Sequence, residues 1–262
     1  MNIVVLVKQV PDTGAERTLS PADHTLDRGS AELVLDEINE RAAEEALRLK
    51  ETAGAEVTVV CMGPDSALDA VRKVLAMGAD RAVHVRDERL RGADVLTTAR
   101  VLAAAVRTVP DVDLVLAGDA STDGGASAVP AVVADLLGLP QVTHVRRLEV
   151  GAGGVRAERE SENGEVTLEA ALPALVGVTE KANEPRYPSF KGIMAARKKP
   201  VTTLGLDELL PGQGASPGGS AVTRTRVVEA VARPPRTAGT RITDDGSAGR
   251  QLAAYLVARK LV

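Results

Sequence analysis

Leu114-Val-Leu-Ala-Gly-Asp-Ala-Ser-Thr-Asp-Gly-Gly-Ala-Ser127 is the stretch that decides the fold. An unbroken apolar run, Leu114–Ala117, stops at a Gly-rich turn, Gly118–Gly125, and a helix-like stretch, Ser127–Leu137, follows. A strand that is apolar on both faces needs cover on both, which is the situation of a parallel sheet between helices. A Gly-rich turn at the C-terminal end of such a strand aims backbone N–H groups and the positive end of a helix dipole at one spot, where phosphate binds well. It is neither a Walker A loop nor a GxGxxG fingerprint, and no Lys follows it. By itself the turn fits a phosphate site or a plain connection. As a site it comprises Gly118 and Ser121, Thr122, Asp123, Gly124, Gly125, Ala126 and Ser127. The small residues leave the contact to backbone N–H groups and to the hydroxyls of Ser121, Thr122 or Ser127.

The same alternation extends toward the N-terminus. Strand-like runs at Ile3–Val7, Val57–Cys61 and Ala82–Val85 are separated by amphipathic stretches at Glu40–Thr52, Ser66–Ala76 and Ala93–Thr108. The pattern predicts an α/β fold with a doubly wound, mainly parallel sheet of Rossmann-like, nucleotide-binding type. Leu6, Val7 and Lys8 end the first strand and face the same crevice as the Gly118 turn. From Gln141 the period changes. Leu148–Val150, Val155–Glu160 and Val166–Ala170, with Asn163-Gly164 between the last two, predict an antiparallel β-hairpin extension. Ala174–Val178 then returns to the main sheet. Pro211–Gly219 reads as a linker, Val222–Val228 as a short strand and Gly249–Val262 as a helix, together an extended C-terminal arm. The expected division is an α/β domain over residues 1–200 and an arm over 201–262.

Composition narrows the chemistry. The chain has 262 residues, enough for one large domain with an appendage, and a net charge of −4 with interspersed signs, so no nucleic-acid footprint is visible. No apolar run approaches the roughly 20 residues of a membrane span. The strand-like Ile3–Val7 leaves no room for a leader peptide, and the single Cys61 fits a reducing cytoplasm. His24, His84 and His144 are isolated, with no second ligand at metal spacing, and no nucleophile–base or acid–base pair stands out. With one thiol and no metal motif the chain has no redox centre of its own, and any redox role would need a bound organic cofactor.

Asn183-Glu-Pro-Arg-Tyr-Pro-Ser-Phe-Lys-Gly-Ile-Met-Ala-Ala-Arg-Lys-Lys-Pro200 holds two of the three aromatic residues, Tyr187 and Phe190. Pro185, Pro188 and Gly192 predict a loop. Rings on a Pro-stiffened basic loop suit an anchor that another protein reads, and equally a loop folded back on its own domain. The segment resembles a signature of the electron transfer flavoprotein β subunit, in the company of Val7-Lys-Gln-Val-Pro-Asp12, Asp36-Glu-Ile-Asn-Glu40 and Ala76-Met-Gly-Ala-Asp-Arg81.

The resemblance implies a non-catalytic electron carrier, an αβ heterodimer whose α subunit mainly holds FAD. Electrons would pass from acyl-CoA and other dehydrogenases to a quinone reductase in fatty acid oxidation. It implies structural AMP in this chain, between Leu6–Lys8, the Asp36, Ile38 and Asn39 segment, Val60 and Met62, and the Gly118 turn. It makes Tyr187, Phe190, Lys191, Ile193 and Met194 the partner-docking residues, with Phe190 the anchor. The charges of Arg186, Lys191, Arg197, Lys198 and Lys199 would steer the complex toward an acidic partner surface. Glu160 would pair with an arginine of the flavin-bearing domain. Two alternatives remain: a bifurcating member with a second FAD in place of AMP, and a free-standing adenine-nucleotide-binding regulator or ATP-using ligase.

Overall fold

The computed structural model describes the chain except residues 152, 213–224 and 237. Its elements in order are β1 (Asn2–Val7), β2 (Gln9–Pro11), β3 (Leu33–Leu35), α1 (Glu37–Ala53), β4 (Glu56–Met62), α2 (Ala67–Met77), β5 (Arg81–Val85) and α3 (Val95–Val106). There follow β6 (Leu114–Gly118), α4 (Val129–Leu137), β7 (Gln141–Gly151), β8 (Gly154–Ser161), β9 (Gly164–Ala170) and β10 (Ala174–Val178). The last are α5 (Phe190–Ala196), β11 (Val201–Leu204), α6 (Leu206–Leu209) and α7 (Ala248–Ala258). Short 3₁₀ turns lie at Arg28–Ser30 and Glu88–Leu90.

The main sheet has nine strands in the order β11-β5-β4-β1-β6-β10-β7-β8-β9. It is parallel from β11 to β7, and β8 and β9 add an antiparallel extension. Alternate residues of each parallel strand enter different cores. Ile3, Val5 and Val7 pack with Leu114 and Leu116 beneath α1 and α2. Val4 and Leu6 pack with Val115 and Ala117 beneath α3, α4 and α6. Both faces of each central strand are therefore dry, which is why these strands read as continuous apolar runs. The chain leaves β1 in one direction toward β4 and β5, then crosses to β6 on the other side. That reversal opens a crevice outside the C-terminal ends of β1 and β6.

Several boundaries differ from the sequence expectation. Helix α1 starts at Glu37 because Asp36 caps it, accepting from the amides of Ile38 and Asn39. Helix α4 starts at Val129 because Ser127 has a φ of +49°. Phe190 opens a short helix capped by Ser189 rather than sitting in a loop. The small antiparallel sheet of β2 and β3 was not legible. Past Pro200, β11 pairs with β5, so the α/β body continues beyond the expected boundary. The chain divides into compact units Met1–Val227 and Val228–Val262. Residues 225–228 form no strand, and the rest of Val222–Val228, with most of the expected linker, lies outside the described residues. In the second unit the expected Gly249–Val262 helix forms as the shorter α7, which exposes Leu252 and Val257, with Arg259 just past its end over the Tyr255 ring.

Candidate functional site

A cavity of about 1070 Å³ fills the crevice at the β1/β6 switch point. Of the residues expected there, Leu6, Val7, Lys8, Asn39, Met62, Gly118, Ser121, Gly124, Ala126 and Ser127 line it. Gly118 lets the start of α1 lie across the end of β6, since a Cβ there would run into Asn39 and Ile38. Gly125 and Ser127 both have positive φ, and Ala128 between Ser127 and α4 is right-handed. Such alternation curls successive N–H groups into an anion-binding nest. Among the described hydrogen bonds, the amides of Ala126, Ser127 and Ala128 have no acceptor. These donors, at the N-terminus of α4, suit a phosphate.

The remaining expected residues do not line the cavity, each for a visible reason. Both carboxylate oxygens of Asp36 are in use. One caps α1 and the other accepts from the amide (2.7 Å) and hydroxyl (2.9 Å) of Thr122, so Asp36 and Thr122 lock the turn to α1. Val60 is core. Ile38 packs behind Gly118, and Gly125 is exposed. Asp123 turns inward. Its side chain is 2% exposed and takes Lys8 Nζ at 2.7 Å and Arg28 Nη2 at 2.6 Å, while Gly124 N–H donates to it at 2.7 Å. Burial works to raise its pKa, but Lys8 and Arg28 outweigh it and hold the carboxylate well below the usual range.

Two wall segments went unread in the sequence. One is the strap through Thr25, Asp27 and Arg28, fastened by Arg28 to Asp123 and by Arg17 to the Thr122 carbonyl at 2.6 Å. The other runs from Arg86 to Leu96. Neither carries a motif spacing, the second running through a 3₁₀ turn into the start of α3, and only the fold brings them over the crevice. At its edge Asp119 accepts the His144 amide at 3.1 Å and faces His144 Nδ1 at 2.6 Å, with burial raising the Asp119 pKa. Among the described residues no group of three or more His, Cys, Asp or Glu is arranged to hold a metal.

The second expected site forms a separate patch. Tyr187 is 94% and Phe190 81% exposed, with Ile193, Met194 and Lys191 exposed beside them. Two of the expected steering cations are otherwise engaged. Arg186 binds Glu44 and Glu51, and Lys199 donates to the carbonyls of Leu75 and Ala79. Arg197 and Lys198 remain exposed. Glu160 is exposed and paired with Lys181 at 2.7 Å.

The electron transfer flavoprotein domain family matches residues 23–209, spanning the strap, the turn and the exposed patch. The chain belongs to the electron transfer flavoprotein β-subunit family. It is 51% identical over 266 residues to the electron transfer flavoprotein subunit beta of Mycobacterium tuberculosis (strain ATCC 25618 / H37Rv), covering 100% of this chain and 99% of that one. The Mycobacterium leprae (strain TN) protein of the same name is equally similar over the same extent. That of Megasphaera elsdenii is 34% identical over 278 residues, with both chains fully covered. As a flavoprotein subunit of this family the chain serves electron transfer. No helix among its described residues is long and apolar enough to cross a membrane.

Proposed function

We propose that this chain is the β half of a cytoplasmic αβ electron carrier that holds AMP in the β1/β6 cavity and presents the Tyr187–Met194 patch to acyl-CoA and other dehydrogenases. Electrons would leave through a quinone reductase. The observation that supports the nucleotide assignment is the run of amides at Ala126–Ala128 without an acceptor among the described hydrogen bonds, beside a cavity at the sheet's switch point that Ala126 and Ser127 line. Leu6, Met62 and Asn39 would flank the base and ribose, and Lys8, already paired with Asp123, would add a cation beside the phosphate. AMP is structural in this reading, and FAD, held mainly by the α subunit, supplies the redox chemistry. The chain's own residues bind, orient and dock, and none acts as an acid, base or nucleophile.

The exposed apolar side of α7 supports an arm that finds its cover on the α subunit. Glu160 would exchange Lys181 for an arginine of the flavin-bearing domain on assembly. A second reading, a bifurcating carrier with FAD in place of AMP, is favoured by cavity size. About 1070 Å³, reaching along Arg86–Leu96, exceeds what one mononucleotide fills. Purifying the αβ complex, releasing its nucleotides and weighing them by mass spectrometry distinguishes these. One FAD and one AMP per complex is the expected result, two FAD selects the second reading, and ATP alone overturns both.

A further inference from the structure

Asn183 and Arg186, at the start of the Asn183–Pro200 segment, are bonded to the body of the fold rather than turned to the exposed patch. Arg186 Nε donates to Glu44 Oε2 at 2.8 Å and Nη2 to Glu44 Oε1 at 3.0 Å, a bidentate pair, and the same guanidinium bridges to Glu51. The Arg186 amide adds a bond to Glu44 at 3.2 Å. Asn183 Nδ2 donates to the Arg41 carbonyl at 2.9 Å and to Glu45 at 2.7 Å. At the far end Arg72 donates to the carbonyls of Ala196 and Lys199, and Gly192 packs so closely on the Ala76 carbonyl that a Cβ would collide with it. All these contacts come from α1 and α2. Between the two tethered ends stand Tyr187, Phe190, Ile193 and Met194, turned to solvent.

We propose that Arg186 is a positioning residue for docking, which holds Tyr187 and Phe190 outward from α1 without itself meeting the partner. The proposal rests on the reading of this patch as the dehydrogenase-docking surface. Three observations carry it. The Glu44 carboxylate is 6% exposed, so the bidentate pair is largely shielded from competing water and salt. Arg186 is neutralised where it stands, by Glu51 and by Glu44, which also takes Arg48, so its charge is spent inside the fold rather than offered to an acidic surface. A segment tied at both ends loses little freedom when its rings are buried by a partner, which lowers the ordering cost of binding. Attraction is then left to Lys191, Arg197 and Lys198.

The test uses the purified αβ complex as electron acceptor for an acyl-CoA dehydrogenase turning over its acyl-CoA, with KM for the complex and kcat measured at several ionic strengths. Arg186→Ala should raise KM roughly tenfold with kcat nearly unchanged, as expected when a binding segment must be re-ordered on docking. Arg186→Lys should recover part of this, because one ammonium replaces only part of the bidentate bridge. The dependence on ionic strength should match that of the unsubstituted complex. In a Phe190→Ala background the Arg186→Ala effect should shrink well below its size in the unsubstituted complex, since only Tyr187 remains to be positioned. Additive effects of the two substitutions, or a flattened salt dependence, would make Arg186 a contact or steering residue and overturn the proposal. An unchanged KM in Phe190→Ala alone would instead overturn the docking reading beneath it. Should Arg186→Ala fail to assemble, Glu51→Gln, at a carboxylate that is 58% exposed, removes one arm of the bridge. A rise of roughly threefold in KM is expected there, and none would refute the bridge.

Discussion

Replacing Asp123 by Asn keeps the shape of the side chain and the acceptor for the Gly124 amide but removes the charge that Lys8 and Arg28 share. The carboxylate is buried, with Lys8 at 2.7 Å and Arg28 at 2.6 Å, whereas the two cations are each more than a third exposed. Removing one partner of a fully buried pair costs about 3–5 kcal/mol, and exposed pairs contribute at most about 1. Here the stranded cations can turn to water, so the loss should fall between, about 2 kcal/mol. In a body of this size that corresponds to a fall of roughly 4–8 °C in Tm. The pH dependence has a definite sign. The folded-state pKa of Asp123 is depressed, so its stabilisation is present above the unfolded carboxylate value, about 4, and is lost as pH falls through the lower folded value. The Tm gap between Asp123→Asn and the unsubstituted protein should be widest at neutral pH and narrow in acid. Freed of Arg28, the strap through Thr25 should also be cut faster by a protease specific for Arg. Thermal scans from pH 3 to 8 with timed proteolysis measure both. A gap under about 1 °C at neutral pH, or one that widens in acid, would refute the assignment of Asp123 as the internal counter-ion.

Two further outcomes are expected. Gly192→Ala should lift α5 from the end of α2, because its Cβ has no room beside the Ala76 carbonyl, lowering Tm by a few degrees and raising KM for the dehydrogenase while flavin content holds. A normal KM would show that the α5–α2 contact is unimportant to the patch. Burial pushes the Cys61 thiol up to about 12, so thiol-specific reagents should leave it untouched until the protein unfolds. Stoichiometric labelling of the native chain at neutral pH would contradict its place beneath α1 and α2.

Periodicity was sufficient for the layers. Leu114–Ala117 and its counterparts at β1, β4 and β5 had to be interior parallel strands, because only a sheet covered on both faces uses continuous apolar runs. The Asn163-Gly164 turn likewise announced its hairpin, and the motifs in their order carried the family. Side-chain partners were not local information. Asp36 reads as a helix cap by itself and as a nucleotide contact only through the resemblance, and Asp123 as part of the turn. In the folded chain Asp36 caps α1 and holds Thr122, while Asp123 takes Lys8 and Arg28. Arg186 looks like a free cation, yet Glu44 lies 142 positions away and is delivered only by the packing of α1. The sequence by itself determined the α/β architecture and the location of the crevice; that Tyr187 and Phe190 face solvent as a patch came only with the fold. Which polar groups face a ligand and which bind the fold together was decided by tertiary structure, because a buried charge takes the nearest compensating partner in space, wherever that partner lies along the chain.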